Sequence, residues 1–453
     1  MIKNFLPEII VSLWLFSSVV LNRFHGRING NSCNKAINSS LPLLLAIVAC
    51  FFAEGAPENY LFGCRYCESL LKATTLLAAL MALRYTSEID FRRRSMLMLS
   101  LLGSLALFSS NNFISFYVSI ELITVPLYFL LKGKLKNHSF FIYGISFSCI
   151  FIAAALLICC STGFTKFNDI RYALSFFPRQ SHLILFASTL MLLSFCAKLG
   201  VSFGHSYIFD VLEDSNLFAA LCISRMSILI SVYKVLSAVL YYTDLSTIII
   251  TFACIMILHG CIFLTRCNSL RKIFCYAYIG HSGMIMLGSA SKNYDSITGV
   301  IFTSMSDLIF MLSALFLLVG IKKNRALLKN VQDLESLSFW STESATAVSV
   351  LIASVFGVLP LTGLCGKFYI CLSLIEKGLY FPVIVMAFSL LTSTFFAARL
   401  LDVIWFKKLP ERGGSFFVIS GRFIYIAPYL MAAAIPLAYK ISSLLRLELY
   451  FMR

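Results

Sequence analysis

Runs of about twenty predominantly apolar residues follow one another along nearly the whole chain, parted only by short polar breaks, and twenty residues is the length a helix needs to cross a bilayer. No period-2 alternation runs through them, so helices are expected rather than barrel strands. With 59% hydrophobic and 13% charged residues, a chain of 453 residues has too little polar surface to coat a water-soluble body. Lipid is the expected solvent, and the fold class is all-α membrane.

Reading apolar runs between breaks predicts about fourteen spans, at 5–22, 38–54, 67–85, 95–110, 112–131, 138–161, 182–204, 217–241, 246–265, 273–290, 296–320, 345–373, 380–406 and 421–446. The stretch from Phe5 to Leu21 has only Lys3 as a basic residue ahead of it and runs into Asn22 and Arg23, so it reads as the first span and not as a cleavable signal. The net charge of +16 is spread through short loops rather than gathered in one patch, which argues against a nucleic-acid partner. One set of alternate loops carries Arg92 to Arg94, Lys132, Lys134, Lys136, Arg271, Lys272, Lys322 and Lys323 among others. The other set is poorer by about three to one, which places the basic set on the cytoplasmic or matrix side and both termini on the periplasmic or intermembrane-space side. The largest loops, 162–181 and 321–344, are too short to fold alone, leaving no room for a nucleotide-binding or redox domain. Fifteen cysteines lie scattered, Cys149, Cys160, Cys196, Cys261 and Cys275 among them. Only Cys64 and Cys67 form a CxxC, so small buried hydrophobes are expected and no metal site.

An ionisable group inside a span costs about 2.5–3.5 kcal/mol on insertion scales and is by default a functional hypothesis. Glu121, Lys198, Arg225, Lys234, His281, Asp307 and Lys367 are such groups. Glu121 precedes Pro126, which frees a backbone carbonyl; a structural ion pair is the plainer reading. Lys198 is followed by Gly200 and Gly204, and Lys367 by position follows Pro360, Gly363 and Gly366. Broken helices with a charge at the break recur in transporters, and a desolvated lysine exchanges its proton in response to a nearby carboxylate; a snorkelling lysine is the alternative. These two spans lie five apart, which suggests two repeats of opposite orientation, spans 4–8 and 9–13. The corresponding segments are 1–94, an N-terminal three-helix part, 95–245 and 246–410, the two repeats, and 411–453, a C-terminal helix. His281 has the chemistry to relay protons, or is a satisfied core histidine. Arg225 and Lys234, nine positions apart, face opposite ways, and arginine does not release its proton. A hydrogen bond between helices is the plainer role for Asp307.

KLGVSFGHSYIFDVLE, with Lys198, His205, Asp210, Val211 and Glu213, resembles the span 7–8 signature of the antiporter-like subunit 2, or N, family of respiratory complex I. SIELITVPLYFLL resembles that family's glutamate span through Glu121, Pro126, Leu127 and Tyr128. LRKIFCYAYIGHSGMIMLG and PLTGLCGKFY resemble its span 10 and span 12 through Arg271, Lys272, Tyr276, His281, Pro360, Gly363, Gly366, Lys367 and Phe368. Phe203 and Phe209 stand where the family has prolines, and Arg225 where it has its central lysine. The resemblance implies a subunit of an H+-translocating NADH:ubiquinone reductase, with Glu121, Lys198, His205, Arg225 or Lys234, His281 and Lys367 as its proton-handling residues. It implies no cofactor in this chain, with NADH, FMN, iron–sulfur clusters and ubiquinone in partner subunits. It further implies antiporter-like membrane-arm neighbours, bound lipid, and a mitochondrial inner membrane or a bacterial plasma membrane. The rival readings are an Mrp-type cation/proton antiporter subunit and a structural complex I subunit whose pumping has decayed.

Overall fold

A computed structural model of the chain describes residues 5–25, 40–51, 65–85, 91–130, 137–176, 182–198, 215–239, 246–291, 293–323, 326–335, 337–340, 342–357, 362–407 and 416–418. In chain order the helices are α1 (Leu6–His25), α2 (Ser40–Phe51), α3 (Arg65–Tyr85), α4 (Phe91–Phe108), α5 (Phe113–Leu130), α6 (Asn137–Thr162), α7 (Phe167–Phe176), α8 (His182–Lys198) and α9 (Ser215–Val239). They continue as α10 (Ser246–Arg266), α11 (Leu270–Ser291), α12 (Tyr294–Gly320), α13 (Leu337–Trp340), α14 (Thr342–Phe356), α15 (Thr362–Glu376) and α16 (Tyr380–Trp405). A helix stands at each expected span from the first to the thirteenth; the stretch 421–446 lies outside the described residues. Among the described residues, five segments are long and apolar enough to cross a membrane: Phe113–Leu130, Ile142–Thr162, Ser246–Arg266, Asp295–Leu312 and Tyr380–Trp405.

Because lipid tails are as apolar as leucine, helices in a bilayer associate through close van der Waals packing at small residues. Helices α10 and α11 meet in this way. A Cβ on Gly260 would lie 2.8 Å from the carbonyl oxygen of Tyr276, and one on Gly283 would lie 2.9 Å from that of Ala253. Helices α12 and α15 meet likewise, at Gly299 and Gly366, where a Cβ on Gly366 would stand 2.6 Å from the backbone nitrogen of Thr303. Helix α11 is buried all round, from Leu270 and Ile273 to Ala290 and Ser291, and forms the centre of the bundle. Helix α6 lies at the periphery, with Ile142, Ile145 and Leu156 directed outward. Cys149 and Cys160, expected to be buried, are exposed on α6. A thiol there still sits in an apolar medium, so the bilayer supplies what protein packing would otherwise have to.

Two of the connections carry structure of their own. Helix α7 in the 162–181 loop buries Phe167, Ile170 and Leu174 on one face and exposes Tyr172. It is fixed to the α4–α5 turn by the bridge between Asn112 and Lys166. After α12, an antiparallel sheet of order β2-β1-β3 joins β1 (Ile321–Lys323) to β2 (Ala326–Leu327) and β3 (Phe416–Val418). These strands are too short to count against an all-helical membrane fold.

Candidate functional site

Glu121 lies midway along α5, in a helix that continues through Pro126. Its carboxylate accepts hydrogen bonds from Thr124 Oγ1 at 2.9 Å and, across to α6, from Ser148 Oγ at 2.5 Å. Lys198, the last residue of α8, brings its Nζ to 3.6 Å from Glu121 Oε1. The pair therefore joins three helices. It borders a cavity of about 330 Å³ lined also by Ile120, Tyr128, Phe147, Phe195 and Tyr278. The walls are overwhelmingly apolar, so the two charges lie in a medium where small changes of separation alter their interaction strongly.

Tyr278 carries the geometry inward from that cavity. Arg225 on α9 stacks its guanidinium over the Tyr278 ring, 3.2 Å from the centroid, and donates to the Tyr278 carbonyl oxygen at 2.9 Å. The same guanidinium pairs with Asp307 Oδ2 on α12 at 3.4 Å, while Asp307 Oδ1 is hydrogen-bonded to His281 Nδ1 on α11. Arg225 is 1% exposed and Asp307 2%. A buried pair of this kind holds only when each charge is answered, and here one carboxylate answers two partners. Arg225 Nε and Nη1 are buried without hydrogen-bond partners among the described residues.

Lys367, on the second turn of α15, completes the line. Its Nζ is buried, has no hydrogen-bond partner among the described residues, and lies within electrostatic reach of Asp307 and His281. The chain before α15 makes room for it. Helix α14 ends at Phe356, Gly357 adopts a φ of +79°, and a Cβ there would stand 3.3 Å from Lys367 Nζ.

The structure brings Glu121 together with Lys198, and Arg225 together with His281 and, through the field of Asp307, with Lys367. Lys234 belongs to neither group: its Nζ lies 3.5 Å from Glu68 Oε1 on α3 and donates to the Phe108 carbonyl at 3.3 Å. His205, Asp210 and Glu213, with the break after Lys198, lie outside the described residues, as does Pro360. Asp307 and Tyr278 are central here although sequence reasoning gave them no part in the chemistry. Asp307 carried the signal of being a charge within span 11; an apolar-flanked tyrosine carried none. The Glu8, Glu68 and Lys72 side chains were also passed over.

Compared with known proteins, the chain matches over residues 110–394 the family model described as "NADH:quinone oxidoreductase/Mrp antiporter, TM". Among curated relatives, the NADH-quinone oxidoreductase subunit N of Pelagibacter ubique is 26% identical, covering 90% of both chains. The NADH-ubiquinone oxidoreductase chain 2 of Marchantia polymorpha is 22% identical, covering 77% of this chain and 74% of its own. Among solved structures, a chain of respiratory complex I from Thermus thermophilus superposes with a TM-score of 0.73 at 17% identity, covering 94% of this chain and 96% of its own. A chain of the Mrp complex from Dietzia does so with 0.79 at 14% identity, covering 99% and 96%. These two likenesses are likenesses of fold.

Proposed function

The chain belongs to the NADH:quinone oxidoreductase/Mrp antiporter transmembrane family, and on that premise we propose that it is a proton-translocating membrane-arm subunit of a respiratory NADH:quinone oxidoreductase. Its curated relatives carry the names of that complex's subunit N or chain 2. The observation that carries the reading is the row of ionisable groups, half-buried at Glu121 and Lys198 and buried from Tyr278 and Arg225 to Asp307, His281 and Lys367.

Electron transfer takes place in partner subunits, where NADH, FMN, iron–sulfur clusters and ubiquinone belong, and reaches this chain as a change of field. When the Glu121–Lys198 pair loosens, Lys198 loses the charge that holds its proton; when it tightens, Lys198 is recharged. Arg225 keeps its proton throughout and sets the field around Asp307. His281 both accepts and donates, and Lys367 takes the proton at the far end. His205, seven positions after Lys198 in the same motif, is counted with these proton-handling residues. The row runs through about fourteen spans in two inverted repeats, with segments 1–94, 95–245, 246–410 and 411–453. Both termini lie on the side away from Arg92 to Arg94, in a mitochondrial inner membrane or a bacterial plasma membrane. The neighbours are antiporter-like subunits and lipid.

The test is the number of protons moved per NADH oxidised by the intact assembly in vesicles, carrying Lys198→Ala or Lys367→Ala. Both variants lower it; an unchanged ratio in both leaves the chain a structural role. The family description gives a second reading, an Mrp-type antiporter subunit. Under that reading the chain purifies without NADH-oxidising subunits.

A further inference from the structure

A second set of buried charges lies apart from the row described above and belongs mostly to the first three helices, ahead of the segment that the family model covers. Lys72 Nζ is 2.6 Å from Glu8 Oε1, which also accepts from Ser109 Oγ at 2.8 Å. One turn away on the same face of α3, Glu68 lies 3.5 Å from Lys234 Nζ. The four groups come from the first turn of α1, the first two turns of α3 and the last turns of α9, and they meet where α4 ends, at Phe108 and Ser109. That is the end of α4 away from Arg92, Arg93 and Arg94. The carboxylates are the outer members, with side chains 12% and 11% exposed, and the ammonium groups the inner ones, at 6% and 2%. Glu8 Oε2 and Glu68 Oε1 are buried and accept no hydrogen bond among the described residues.

Between this set and Arg225–Asp307 lies a separate apolar cluster. Leu71 from α3, Phe108 from α4, Met226 and Ile230 from α9, and Ile301 and Leu308 from α12 pack together there, all nearly inaccessible. Met226 follows Arg225 and Leu308 follows Asp307, while Ile230 sits one turn before Lys234. Arg225 and Lys234 are nine positions apart on α9, a rise of about 13.5 Å, and the cluster fills that interval. A packed apolar layer of this kind excludes water, and hydrophobic constrictions in channels gate by wetting and dewetting.

We propose that Lys234 and Glu68, backed by Lys72 and Glu8, form a second proton-exchange site between the Arg225–Asp307 group and the membrane face opposite Arg92 to Arg94, with the Met226–Ile230 cluster as its hydrophobic gate. The inference rests on the proposed function. The Lys234 ammonium gives its proton to the Glu68 carboxylate, an N–H bond breaking as an O–H bond forms, and the neutral pair loses that proton from Glu68 to water at the near face. Lys234 is then recharged through water crossing the wetted gate. Among the described residues, Cys50 of α2 is a further titratable group facing the site, in range of Lys72 and Glu8. Asp307 of α12 faces it from beyond the gate.

The experiment uses the intact assembly in vesicles. Lys234→Arg keeps the cation but cannot release a proton, and it lowers the protons moved per NADH oxidised. Ile230→Asn wets the gate and raises passive proton conductance under an imposed membrane potential; adding Lys234→Met returns the leak to the parent level. Met226→Ser makes the same measurement if the Ile230 variant does not assemble. A parental ratio in Lys234→Arg, no leak in the gate variants, or a leak indifferent to Lys234 overturns the proposal and leaves a structural clamp on the first three helices. Lys198→Ala and Lys367→Ala separate the two levels: if they lose pumping while Lys234→Arg keeps it, this site alone falls.

Discussion

Asp307 sends one carboxylate oxygen to Arg225 and the other to His281 in a part of the bundle closed to bulk solvent. Replacing it with asparagine leaves the guanidinium buried without a countercharge, a loss of about 3–5 kcal/mol for a pair of this kind. Thermal melting of the purified assembly is expected to show Asp307→Asn well below the parent, and Arg225→Met/Asp307→Leu recovering much of the difference. Additive losses in the double variant would mean that the two side chains do not act as a pair. At Glu121 the chemistry is separable from the charge. Lys198→Arg keeps a cation beside Glu121, which Lys198 Nζ approaches to 3.6 Å, but holds its proton, so pumping is expected to fall several-fold at near-parental stability. Equal pumping by Lys198→Arg and the parent would remove Lys198 from the proton path. Glu121, Lys198, His281 and Lys367 were legible because a charge in an apolar run stands out. The partners of Asp307 were not, since Arg225 lies 82 positions away and only the fold brings the two together. Glu68 and Lys72 were lost for a different reason: four residues apart near the end of a span, they have the spacing of an ordinary helix-surface pair.

Helix α15 carries Lys367 and rests on α12, which carries Asp307, through two glycines. A Cβ on Gly299 would lie 2.7 Å from Ile370 Cγ1, and one on Gly366 would meet the Thr303 backbone. Backbone does not yield as a flexible side chain does, so Gly366→Ala has to push the helices apart. Overpacking of this kind costs about 1–3 kcal/mol, and the same shift draws Lys367 away from Asp307. Gly366→Ala is therefore expected to lower both melting temperature and pumping, while Gly144→Ala on α6, where a Cβ meets nothing within 4 Å, changes neither. A neutral Gly366→Ala would show that the α12–α15 contact is looser than described. Most helices could be read from apolar run length because the bilayer dictates it. The short elements could not. The ten residues of α7 and the three-stranded sheet after α12 are held by tertiary contacts, such as the Asn112–Lys166 bridge, that no local pattern announces.

Across the molecule, burial grades from a centre at α11 and α12 to a rim at α6 and α16, and the rim is where the membrane reading is most exposed to test. Along α16, Ile384, Phe388, Leu391 and Phe395 recur at helical spacing on the outward side, at 66%, 48%, 70% and 72% exposure, while Ser389, Phe396 and Leu400 turn inward. Such a stripe is tolerable only against lipid or a neighbouring subunit, and either one excludes water. Leu391 lies near the middle of Tyr380–Trp405, where an aspartate costs about 2.5–3.5 kcal/mol on insertion scales. Phe406 is more exposed still, at 78%, but lies past the end of the helix beside Lys407. Leu391→Asp is expected to reduce the amount of chain that resists carbonate extraction from membranes several-fold, and Phe406→Asp to leave it at the parent level. Exposure alone would rank Phe406 as the more sensitive position, so the order of the two results reports depth in the bilayer. Should Leu391→Asp integrate and assemble as the parent does, the outward face of α16 meets water, and the rim of this bundle is not a membrane surface.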